Sequence, residues 1–593
     1  MDYIPMNRIL GFIDMKKRAV SRLLPFFVLF YLLFSSVAEP VSASLLKNPY
    51  GQATGDTVVK FRYPLDVALS LSGDYGELRG NHFHGGIDFR VGGVVGAPIY
   101  ATERGYVSKI SVSPTGYGNA LYITHPNGYV SVYGHLHKYA DKLQKYLREC
   151  QYEEESFRID LEFEPDEFPV AKGELVAYAG NTGSSGGPHL HFEIRDHKNV
   201  PLSVLERNYV KVTDNLAPAI NRVDFYGYSQ VYGAPKTFRV QRPQEQGAAI
   251  NVPMYFYVAV DAVDKMEGTY AKLAVNEYKV YLDTALVYHL TIGEVPFSHS
   301  KYINSLIEYS RKRNGGKSMV KTYVEPGNLL DYKIDAVNNG ILCLKDTLPH
   351  KVKIEVIDYK KNRSFRTYTV KRVDSLFTSQ MGDKPEGTYM AWYLANIYER
   401  DGFKINIPSA SLYRSIYFTL DSAASRVTPF APVWQVHTGD IPLHTAASLQ
   451  IKYEGPDSLS AKALIVSCGA NGRLYGVGGK YENGVVKAKV SSFGNYTIGV
   501  DIMPPVITPN FKNGAVISGN VVSFIIKDAL SGIKNYRVEI DGHWVLAEFD
   551  AKRSRLSVPL NEAKIKKGIT HKLKISVVDN KDNEAVATRS FKW

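Results

Sequence analysis

Two distant segments of the chain carry the same alternation of apolar and polar side chains, and this repetition limits the possible folds more than any other feature. Residues 350–358 read HKVKIEVID and residues 571–579 read HKLKISVVD, and each continues into a Lys/Asn turn and another alternating stretch. Two further pairs repeat in the same order, 278–283 with 536–541 and 214–218 with 501–505. A period of two is typical of half-buried β-strands. Matching strands in matching order predict two copies of one Ig-like β-sandwich, at residues 214–373 and 501–593.

The rest of the chain is also predicted to be β-rich. At roughly 150 residues per domain, 593 residues predict about four domains. The 41 Tyr and 26 Phe against 9 Met favour strands, where aromatic side chains fit a pleated, half-buried face. Residues 374–500 contain strand-like pieces and Gly-rich turns without a clear copy of the repeat, which predicts a separate β-rich module of uncertain fold. Residues 44–213, rich in Gly and His, are expected to form the first folded domain.

The N-terminus has the form of a secretory signal peptide over residues 1–43. Basic residues precede an apolar run from Leu23 to Phe34, and small residues follow at 36–38 and 41–43. This order is typical of a signal segment, and the run is shorter than the about 20 residues of a membrane span. The alternative is an uncleaved signal anchor, through which the chain would contact the membrane. In both cases the sequence predicts an exported protein.

Net charge and cysteine content narrow the function classes further. A formal charge of +12 favours anionic surroundings, such as an envelope polymer or nucleic acid. Because an exported chain is a poor candidate for nucleic-acid work, no nucleic-acid partner is expected. The 3 Cys are far apart and odd in number, which excludes a disulfide scaffold and a cysteine-based zinc cluster. They are expected to be free, buried thiols.

Three histidine-bearing segments of the first domain carry the candidate chemistry. His84 and Asp88, four residues apart, offer one imidazole and one carboxylate, and His135 ends an alternating stretch. His189 and His191 follow a Gly-rich turn and would share one face of a strand. Burying two adjacent imidazoles without a partner would be costly, so a shared metal or a substrate groove is expected.

Taken together, the three segments fit a zinc hydrolase, which uses three protein ligands and leaves a fourth position to water. His84, Asp88 and one of the paired histidines would fill the three positions. The other paired histidine and His135 would then handle protons around the metal-bound water. The residue types alone leave open whether His189 or His191 binds the metal.

Less specific roles are expected for several other residues. Structural or solvent-facing positions are predicted for His82, His125, His137 and His197, although His82 fits the groove equally well. Glu193, four residues after His189, could steady a catalytic group, but a solvent-facing position on its strand is expected. His350 and His571 occupy matching positions of the repeat and are expected at strand ends. A helix and a strand are predicted within residues 138–170, as an insertion that borders the groove.

The ordered motifs of the first domain resemble those of the lysostaphin-type (LytM-like) zinc metallopeptidases that cut peptidoglycan. They are His-x-x-x-Asp at 84–88, Gly-His-Leu at 134–136 and Asn-Thr-Gly…Gly-Pro-His-Leu-His-Phe-Glu over 181–193. The resemblance covers about residues 61–205 and implies a small antiparallel β-structure with the metal in a narrow groove.

The resemblance also implies roles for individual side chains. It implies one zinc ion per chain with His84, Asp88 and His191 as ligands. It further implies that His135 and His189 are the catalytic histidines, which activate the water and stabilise the oxyanion. The fold class predicted for the whole chain is therefore mainly β, a small antiparallel β metallopeptidase domain followed by two or three β-sandwich (Ig-like) domains.

For function, the resemblance implies an exported zinc metalloendopeptidase that hydrolyses peptide stems or cross-links of peptidoglycan. The expected location is the periplasm or cell envelope of a bacterium. The alternative is a catalytically silent envelope adaptor that binds or activates another cell-wall hydrolase, since some relatives of these enzymes have lost ligands. All five expected positions are filled here, which favours the enzyme. A general secreted protease would differ only in substrate, and the β modules could bind other envelope proteins.

Overall fold

A computed structural model describes residues 60–241, 247–382 and 384–593. Strands dominate these residues, which confirms the predicted mainly β fold class. The predicted signal segment at residues 1–43 lies outside the described residues. Within the described ranges, no helix has the length and apolar character needed to cross a membrane.

The first domain is a small antiparallel β-structure, as predicted. Its strands are β1 (Leu71–Gly73), β2 (Ile87–Arg90), β3 (Pro98–Tyr100), β4 (Gly105–Val112), β5 (Asn119–Thr124), β6 (Val130–Gly134), β7 (Leu136–Tyr139), β8 (Ile159–Glu162), β9 (Pro169–Val170), β10 (Leu175–Ala179), β11 (His189–Arg195) and β12 (Pro201–Leu202). The main sheet has the order β1-β2-β11-β6-β5-β4-β8, with β12 beside β11 and β9 beside β4. A smaller sheet has the order β3-β10-β7. Fully buried aromatic side chains, among them Phe89, Tyr133 and Phe192, fill the core.

Helix α1 (Asp141–Glu153) forms the helical part of the predicted insertion. Apolar residues three or four apart give it one face that is buried in the core of the first domain, through Leu143, Leu147 and Cys150. The outer face lies against the last module: Arg148 Nη2 pairs with Glu548 at 2.6 Å, and the Tyr152 ring packs edge-on against Trp544. The predicted helix and strand are both present. The outer face of the helix contacts the last module, and the expectation that the insertion borders the groove stays a prediction.

The first copy of the repeat lies in two sheets. Its strands are β13 (Ala219–Val231), β14 (Ala234–Arg239), β15 (Ile250–Val252), β16 (Tyr255–Val263), β17 (Glu277–Leu282), β18 (Ala285–Thr291), β19 (Val320–Lys321), β20 (Ile334–Ala336), β21 (Leu342–Cys343), β22 (His350–Ile357) and β23 (Arg363–Arg372). The sheets have the orders β14-β13-β16-β19, with β21 beside β16, and β15-β23-β22-β17-β18-β20. Two short helices, α2 (Ile303–Leu306) and α3 (Tyr309–Arg313), lie between β18 and β19. A third, α4 (Thr378–Met381), follows β23.

Residues 387–501 form further antiparallel sheets around a core that contains Trp434. The strands are β24 (Thr388–Met390), β25 (Asn396–Arg400), β26 (Phe403–Ile407), β27 (Ile416–Phe418), β28 (Leu420–Ala423), β29 (Val433–Val436), β30 (Pro442–Lys452), β31 (Ala463–Cys468), β32 (Leu474–Gly478), β33 (Lys480–Glu482), β34 (Val485–Ser492) and β35 (Gly494–Val500). Two sheets have the orders β25-β26-β30-β34-β33 and β28-β29-β35-β31-β32, and β24 pairs with β27. Apolar residues of both larger sheets share one hydrophobic cluster.

The last module contains the second copy of the repeat. Its strands are β36 (Val506–Pro509), β37 (Ala515–Val516), β38 (Val521–Lys527), β39 (Ile533–Ile540), β40 (His543–Trp544), β41 (Glu548–Asp550), β42 (Arg555–Pro559), β43 (Thr570–Asp579) and β44 (Glu584–Lys592). The sheet orders are β36-β38-β42-β41 and β37-β44-β43-β39-β40.

The two copies match in strand order and in register. The run β15-β23-β22-β17-β18 of the first corresponds to β37-β44-β43-β39-β40 of the second, and each begins with a parallel pair. Tyr278 lies opposite Val356, and Tyr536 lies opposite Val577 at the equivalent position. The repeat read from the sequence is therefore also a repeat of structure, while the Ig-like assignment and the domain limits remain predictions.

Candidate metal centre

The three histidine-bearing segments meet because they lie on adjacent strands. β2 carries Asp88, β11 carries His189 and His191, and His135 directly follows β6. His191 lies opposite Asp88 on one side and opposite the last residue of β6 on the other. His189, two residues earlier on β11, shares a face with His191. His84 reaches the same place from the loop before β2, with its Nε2 atom 3.1 Å from Asp88 Oδ1.

A glycine allows this loop to come so close. A Cβ atom at Gly86 would lie 2.5 Å from the backbone oxygen of Phe192, well inside van der Waals contact. Only glycine therefore lets the segment from His84 to Asp88 run against β11 without displacing it.

The hydrogen bonds of His84 and His191 determine which ring nitrogen of each is free. His84 Nδ1 donates to the backbone oxygen of Asp74 at 2.6 Å, and His191 Nε2 donates to Glu193 Oε1 at 2.7 Å. Because these oxygens only accept, the donating nitrogens carry protons, and the other nitrogen of each ring is the one that faces the site. The free nitrogens, His84 Nε2 and His191 Nδ1, face each other at 3.0 Å. Asp88 Oδ1 lies 2.9 Å from the second of them.

This arrangement fits a metal ion. Two imidazole nitrogens and a carboxylate oxygen at this spacing need a proton or a metal ion among them to offset the repulsion of their lone pairs, and the three ligand atoms lie within 4.8 Å of one another. A tetrahedral zinc ion with bonds of about 2.0–2.1 Å would hold its ligand atoms about 3.4 Å apart, close to the separations observed. His84, Asp88 and His191 therefore form a group that could bind a metal, and their donor types suit zinc.

Glu193 holds the outer nitrogen of His191 and is itself held from two sides. Arg195 Nε donates to Glu193 Oε2 at 2.6 Å, and the Tyr117 hydroxyl donates to Glu193 Oε1 at 2.6 Å. Glu193 is fully buried. The expectation that it faces solvent is wrong, because it lies on the same strand face as His191 and the groove wall covers that face.

Asp88 is positioned from its other oxygen. Arg79 Nη2 lies 3.0 Å from Asp88 Oδ2 and 2.7 Å from Glu77 Oε2. The guanidinium thus fixes the carboxylate so that Oδ1 points to the two imidazoles. Such outer contacts orient metal ligands and tune their affinity.

His135 and His189 line the same site with a common hydrogen-bonding pattern. His135 Nδ1 donates to the backbone oxygen of Thr182 at 2.9 Å, and His189 Nδ1 donates to that of Gly187 at 2.9 Å. In its neutral form each ring therefore leaves Nε2 as the unprotonated nitrogen, and the ring centroids are 4.8 Å apart. His135 has a positive φ of 59°, a strained conformation that often occurs at functional sites.

The electrostatic surroundings favour negative carboxylates and a positive charge between them. Although burial opposes ionisation, the surrounding imidazoles of His189, His191 and His84 hold the pKa of Asp88 far below its usual range. Burial would lower the pKa of His191, but hydrogen bonds to Asp88 and Glu193 raise it to about 9, so a proton competes with a metal ion for Nδ1. Burial and the nearby His191 and His189 lower the pKa of His135 to about 3, so this imidazole is neutral near neutral pH.

Comparison with protein families identifies this region. Residues 82–151, which include His84, Asp88 and His135, match the model described as Peptidase family M23. The chain carries an M23 peptidase domain. The resemblance to LytM-like metallopeptidases is thereby confirmed. Residues 387–501 match the model described as Zu5-like domain, in the region whose fold the sequence left open.

Individual relatives each match about a quarter of the chain. An "Uncharacterized metalloprotease" of Haemophilus influenzae is 31% identical over 152 residues, which cover 24% of this chain and 27% of that protein. "Peptidoglycan DD-endopeptidase ShyA" of Vibrio cholerae is 29% identical over 154 residues, 24% of this chain and 30% of that protein. The chain thus spans less than a third of the length of these curated relatives. A solved zinc-containing peptidase from Vibrio cholerae is 27% identical, covers 26% of this chain and 40% of that chain, and has a TM-score of 0.18.

The structure brings all five predicted site residues of the M23 domain together, and it adds residues that sequence reasoning missed. The missed residues hold the ligands from outside: Asp74, Arg79, Tyr117, Glu193 and Arg195. For Glu193 a signal existed, since it continues the period-two series of His189 and His191. The others come from separate segments, and nothing in their spacing indicated the site.

The other histidines considered in the sequence analysis have structural or solvent-facing positions. His125 is buried and bonds the Ser131 hydroxyl and a backbone oxygen, while His82 and His197 are exposed. His350 and His571 each bond an aspartate at a strand end, as expected for matching repeat positions. The three cysteines are free, but only Cys150 is buried; Cys343 and Cys468 are half-buried, so the prediction of buried thiols is wrong for these two.

Proposed function

We propose that the chain is a zinc metalloendopeptidase that hydrolyses peptide bonds in peptidoglycan. The observation that carries the proposal is the pair of imidazole nitrogens, His84 Nε2 and His191 Nδ1, that face each other 3.0 Å apart beside Asp88 Oδ1. The M23 match and the names of relatives support the reaction class and the substrate. The net charge of +12 suits an anionic envelope polymer.

In this proposal His84, Asp88 and His191 hold one zinc ion per chain. When bound, zinc polarises the scissile carbonyl and lowers the pKa of an attacking water. His135 and His189 stand next to the ligands, and His189 Nε2 lies 3.5 Å from Asp88 Oδ1. With Nε2 unprotonated, one of these imidazoles can accept the proton that the water loses. Once protonated, it can donate a hydrogen bond to the developing oxyanion and then return the proton to the leaving amine.

Export to the periplasm or cell envelope belongs to the same proposal. It is supported by the charge and apolar pattern of residues 1–43 and by the substrate, which lies outside the cytoplasmic membrane. The β modules that follow the M23 domain would then serve as spacers or as binding surfaces for other envelope proteins.

One observation favours the silent adaptor as a second candidate. The ammonium of Lys552, in the last module, donates hydrogen bonds to Asn181, to Gly183 O at 3.3 Å and to Ser185 O at 3.1 Å. This loop carries Ser185, whose hydroxyl lies 3.2 Å from His189 Nδ1. A module that holds the loop beside the site could keep it closed to substrate.

The experiment measures zinc content and release of soluble muropeptides by the purified chain and three variants. We expect one zinc per chain and digestion by the parent, and loss of both in His191→Ala. His189→Ala should keep zinc and lose about 10²–10⁴-fold in rate, the contribution of a general acid–base group. The exposed His197→Ala is the matched control and should behave as the parent.

The remaining outcomes separate the two candidates. Zinc bound by the parent without digestion would favour the adaptor and retain the metal site. A parent with neither zinc nor digestion would overturn the zinc endopeptidase.

A further inference from the structure

Each copy of the repeat contains a cluster of three aspartates at the same place in the fold. In the last module these are Asp501, Asp528 and Asp579, and in the first copy they are Asp214, Asp264 and Asp358. Within each cluster, one aspartate precedes the first strand, one directly follows β16 or β38, and one lies at the end of β22 or β43. The carboxylate oxygens of each cluster lie within 4.8 Å of one another.

In the last module, backbone N–H groups satisfy the cluster. Asp528 Oδ2 accepts from Leu530 N at 3.0 Å and from Gly532 N at 2.7 Å. Asp501 Oδ2 accepts from Ser531 N at 2.9 Å. The turn that follows β38 therefore folds back over the carboxylates and compensates their charge with amide dipoles.

Asp579 in the same module is equally well satisfied. Its Oδ1 atom accepts from Lys581 N at 2.7 Å and from Asn583 N at 2.9 Å. The Asn583 side chain donates to Asp579 Oδ2 at 2.7 Å and to the backbone oxygen of Asp501 at 2.9 Å. Hydrogen bonds thus compensate the carboxylates of this cluster, and none of them requires a bound cation.

The first copy lacks this compensation at two of its three aspartates. Asp264 is 0% exposed, and neither of its carboxylate oxygens has a hydrogen-bond partner. Asp214 Oδ2 is also buried without a partner. Asp214 Oδ1 accepts from Leu216 N at 3.3 Å, and Asp358 is held by the backbone and side chain of Asn362 at 2.9 and 2.8 Å. Among the residues that the structure describes, no basic side chain forms an ion pair with any of the three.

A buried carboxylate without a hydrogen bond is costly, and two like charges beside it raise the cost. We propose that Asp214, Asp264 and Asp358 bind one Ca²⁺ ion. The available ligands are all carboxylate oxygens. Hard cations prefer such oxygen ligands, whereas zinc favours sites that also supply nitrogen. Ca²⁺ accepts a flexible cage of protein oxygens, whereas Mg²⁺ keeps several waters for which a buried cluster leaves little room.

The proposed calcium site lies on a hydrogen-bonded path to the M23 domain. Asp264 and Leu273 exchange both backbone hydrogen bonds, at 2.9 and 3.0 Å. The next residue, Ala274, donates to Asp74 Oδ1 at 2.8 Å, and the backbone oxygen of Asp74 accepts from His84. Ca²⁺ would therefore order the segment that supports His84. This consequence rests on the proposed function, whereas calcium binding itself does not.

The test titrates Ca²⁺ into the purified full chain after treatment with a chelating resin, using calorimetry, and follows thermal unfolding with and without Ca²⁺. The titration extends to about 10 mM, beyond the 10⁻⁴–10⁻³ M range of weak calcium sites in extracellular modules. The variants are Asp264→Asn, which keeps the shape and removes one charge, and Asp528→Asn, the matched change in the other copy. Mg²⁺ at the same concentrations is the control ion.

We expect one Ca²⁺ per parent chain, a higher melting temperature with Ca²⁺, and at least tenfold weaker binding by Asp264→Asn. Asp528→Asn should bind as the parent does. Because Asp264→Asn relieves repulsion, we expect it to melt at or above the temperature of the calcium-free parent, which shows that the variant is folded. No binding by the parent, equal binding by Asp264→Asn, or loss of binding only in Asp528→Asn would each overturn the proposal. Zinc content and peptidoglycan digestion, measured separately, report on the M23 site.

Discussion

Glu193 Oε1 accepts a hydrogen bond from His191 Nε2 at 2.7 Å, and Glu193 is completely buried. The bond keeps a proton on Nε2 and turns Nδ1 toward His84 and Asp88. The neutral variant Glu193→Gln should therefore weaken zinc binding by about 10–100-fold, the usual effect of removing an outer carboxylate. Competition with a chromogenic chelator measures the affinity.

The control for this substitution is Glu206→Gln, at an exposed position of the same domain. It should leave zinc affinity unchanged. If Glu193→Gln bound zinc as tightly as the parent, the carboxylate would have no role in positioning His191.

The site could be predicted from the sequence to the extent that its residues fall in a regular pattern. His189 and His191 are two apart on a strand, so their common face followed from the alternation alone. The choice of His191 as the ligand did not follow, because it depends on which nitrogen each ring keeps unprotonated. Two acceptors decide it. Glu193 accepts from Nε2 of His191, whereas the backbone oxygen of Gly187 accepts from Nδ1 of His189.

The fold shows the same division between regular pattern and tertiary contact. The repeat predicted matching strands, and Tyr278 and Tyr536 do occupy equivalent registers. The docking of α1 on the last module could not be read from the sequence, because Arg148 and Glu548 are 400 positions apart and form an ordinary charged pair. The unequal compensation of Asp264 and Asp528 likewise depends on how the following turn folds.

Lys552 provides a test of coupling between the last module and the M23 domain. Its ammonium holds the loop from Asn181 to Ser185 through several oxygen acceptors. In Lys552→Ala we expect faster hydrogen–deuterium exchange of this loop, by several-fold, because local openings are less opposed. Mass spectrometry of peptides covering the loop measures it.

The matched control is Lys512→Ala, an exposed lysine of the same module. Its exchange in the loop should equal that of the parent. Unchanged exchange in Lys552→Ala would mean that the last module does not restrain the loop.

Asn583 connects the segment that leads into the last module with the end of β43. Its side chain donates to Asp579 Oδ2 and to the backbone oxygen of Asp501, and both acceptors are buried. Asn583→Ala leaves these acceptors unsatisfied, which should lower the free energy of unfolding by about 1–3 kcal/mol. Urea unfolding followed by the fluorescence of Trp544 and Trp593 measures the loss. The exposed Asn495→Ala should change the stability by less than about 0.5 kcal/mol; a similar loss in both variants would contradict a specific role for Asn583.

His437 should make the stability of residues 387–501 depend on pH. Burial, followed by the charge of Arg414, lowers the pKa of His437 to about 4. The unfolded chain takes up the proton at a pKa near 6.5, so the unfolded state binds more protons as the pH falls from about 6.5 to about 4. The stabilisation is complete above pH 6.5 and is lost through that window, by about 3 kcal/mol.

His437→Gln removes the titrating group, so its free energy of unfolding should change less between pH 7 and pH 5 than that of the parent. Urea unfolding at both pH values, followed by tryptophan fluorescence to which Trp392 and Trp434 contribute, gives the comparison. His543→Gln, at an exposed position, should retain the pH dependence of the parent. A variant and a parent with equal pH dependence would show that His437 is protonated to the same degree in the folded and unfolded states, because only a difference in proton uptake couples pH to stability.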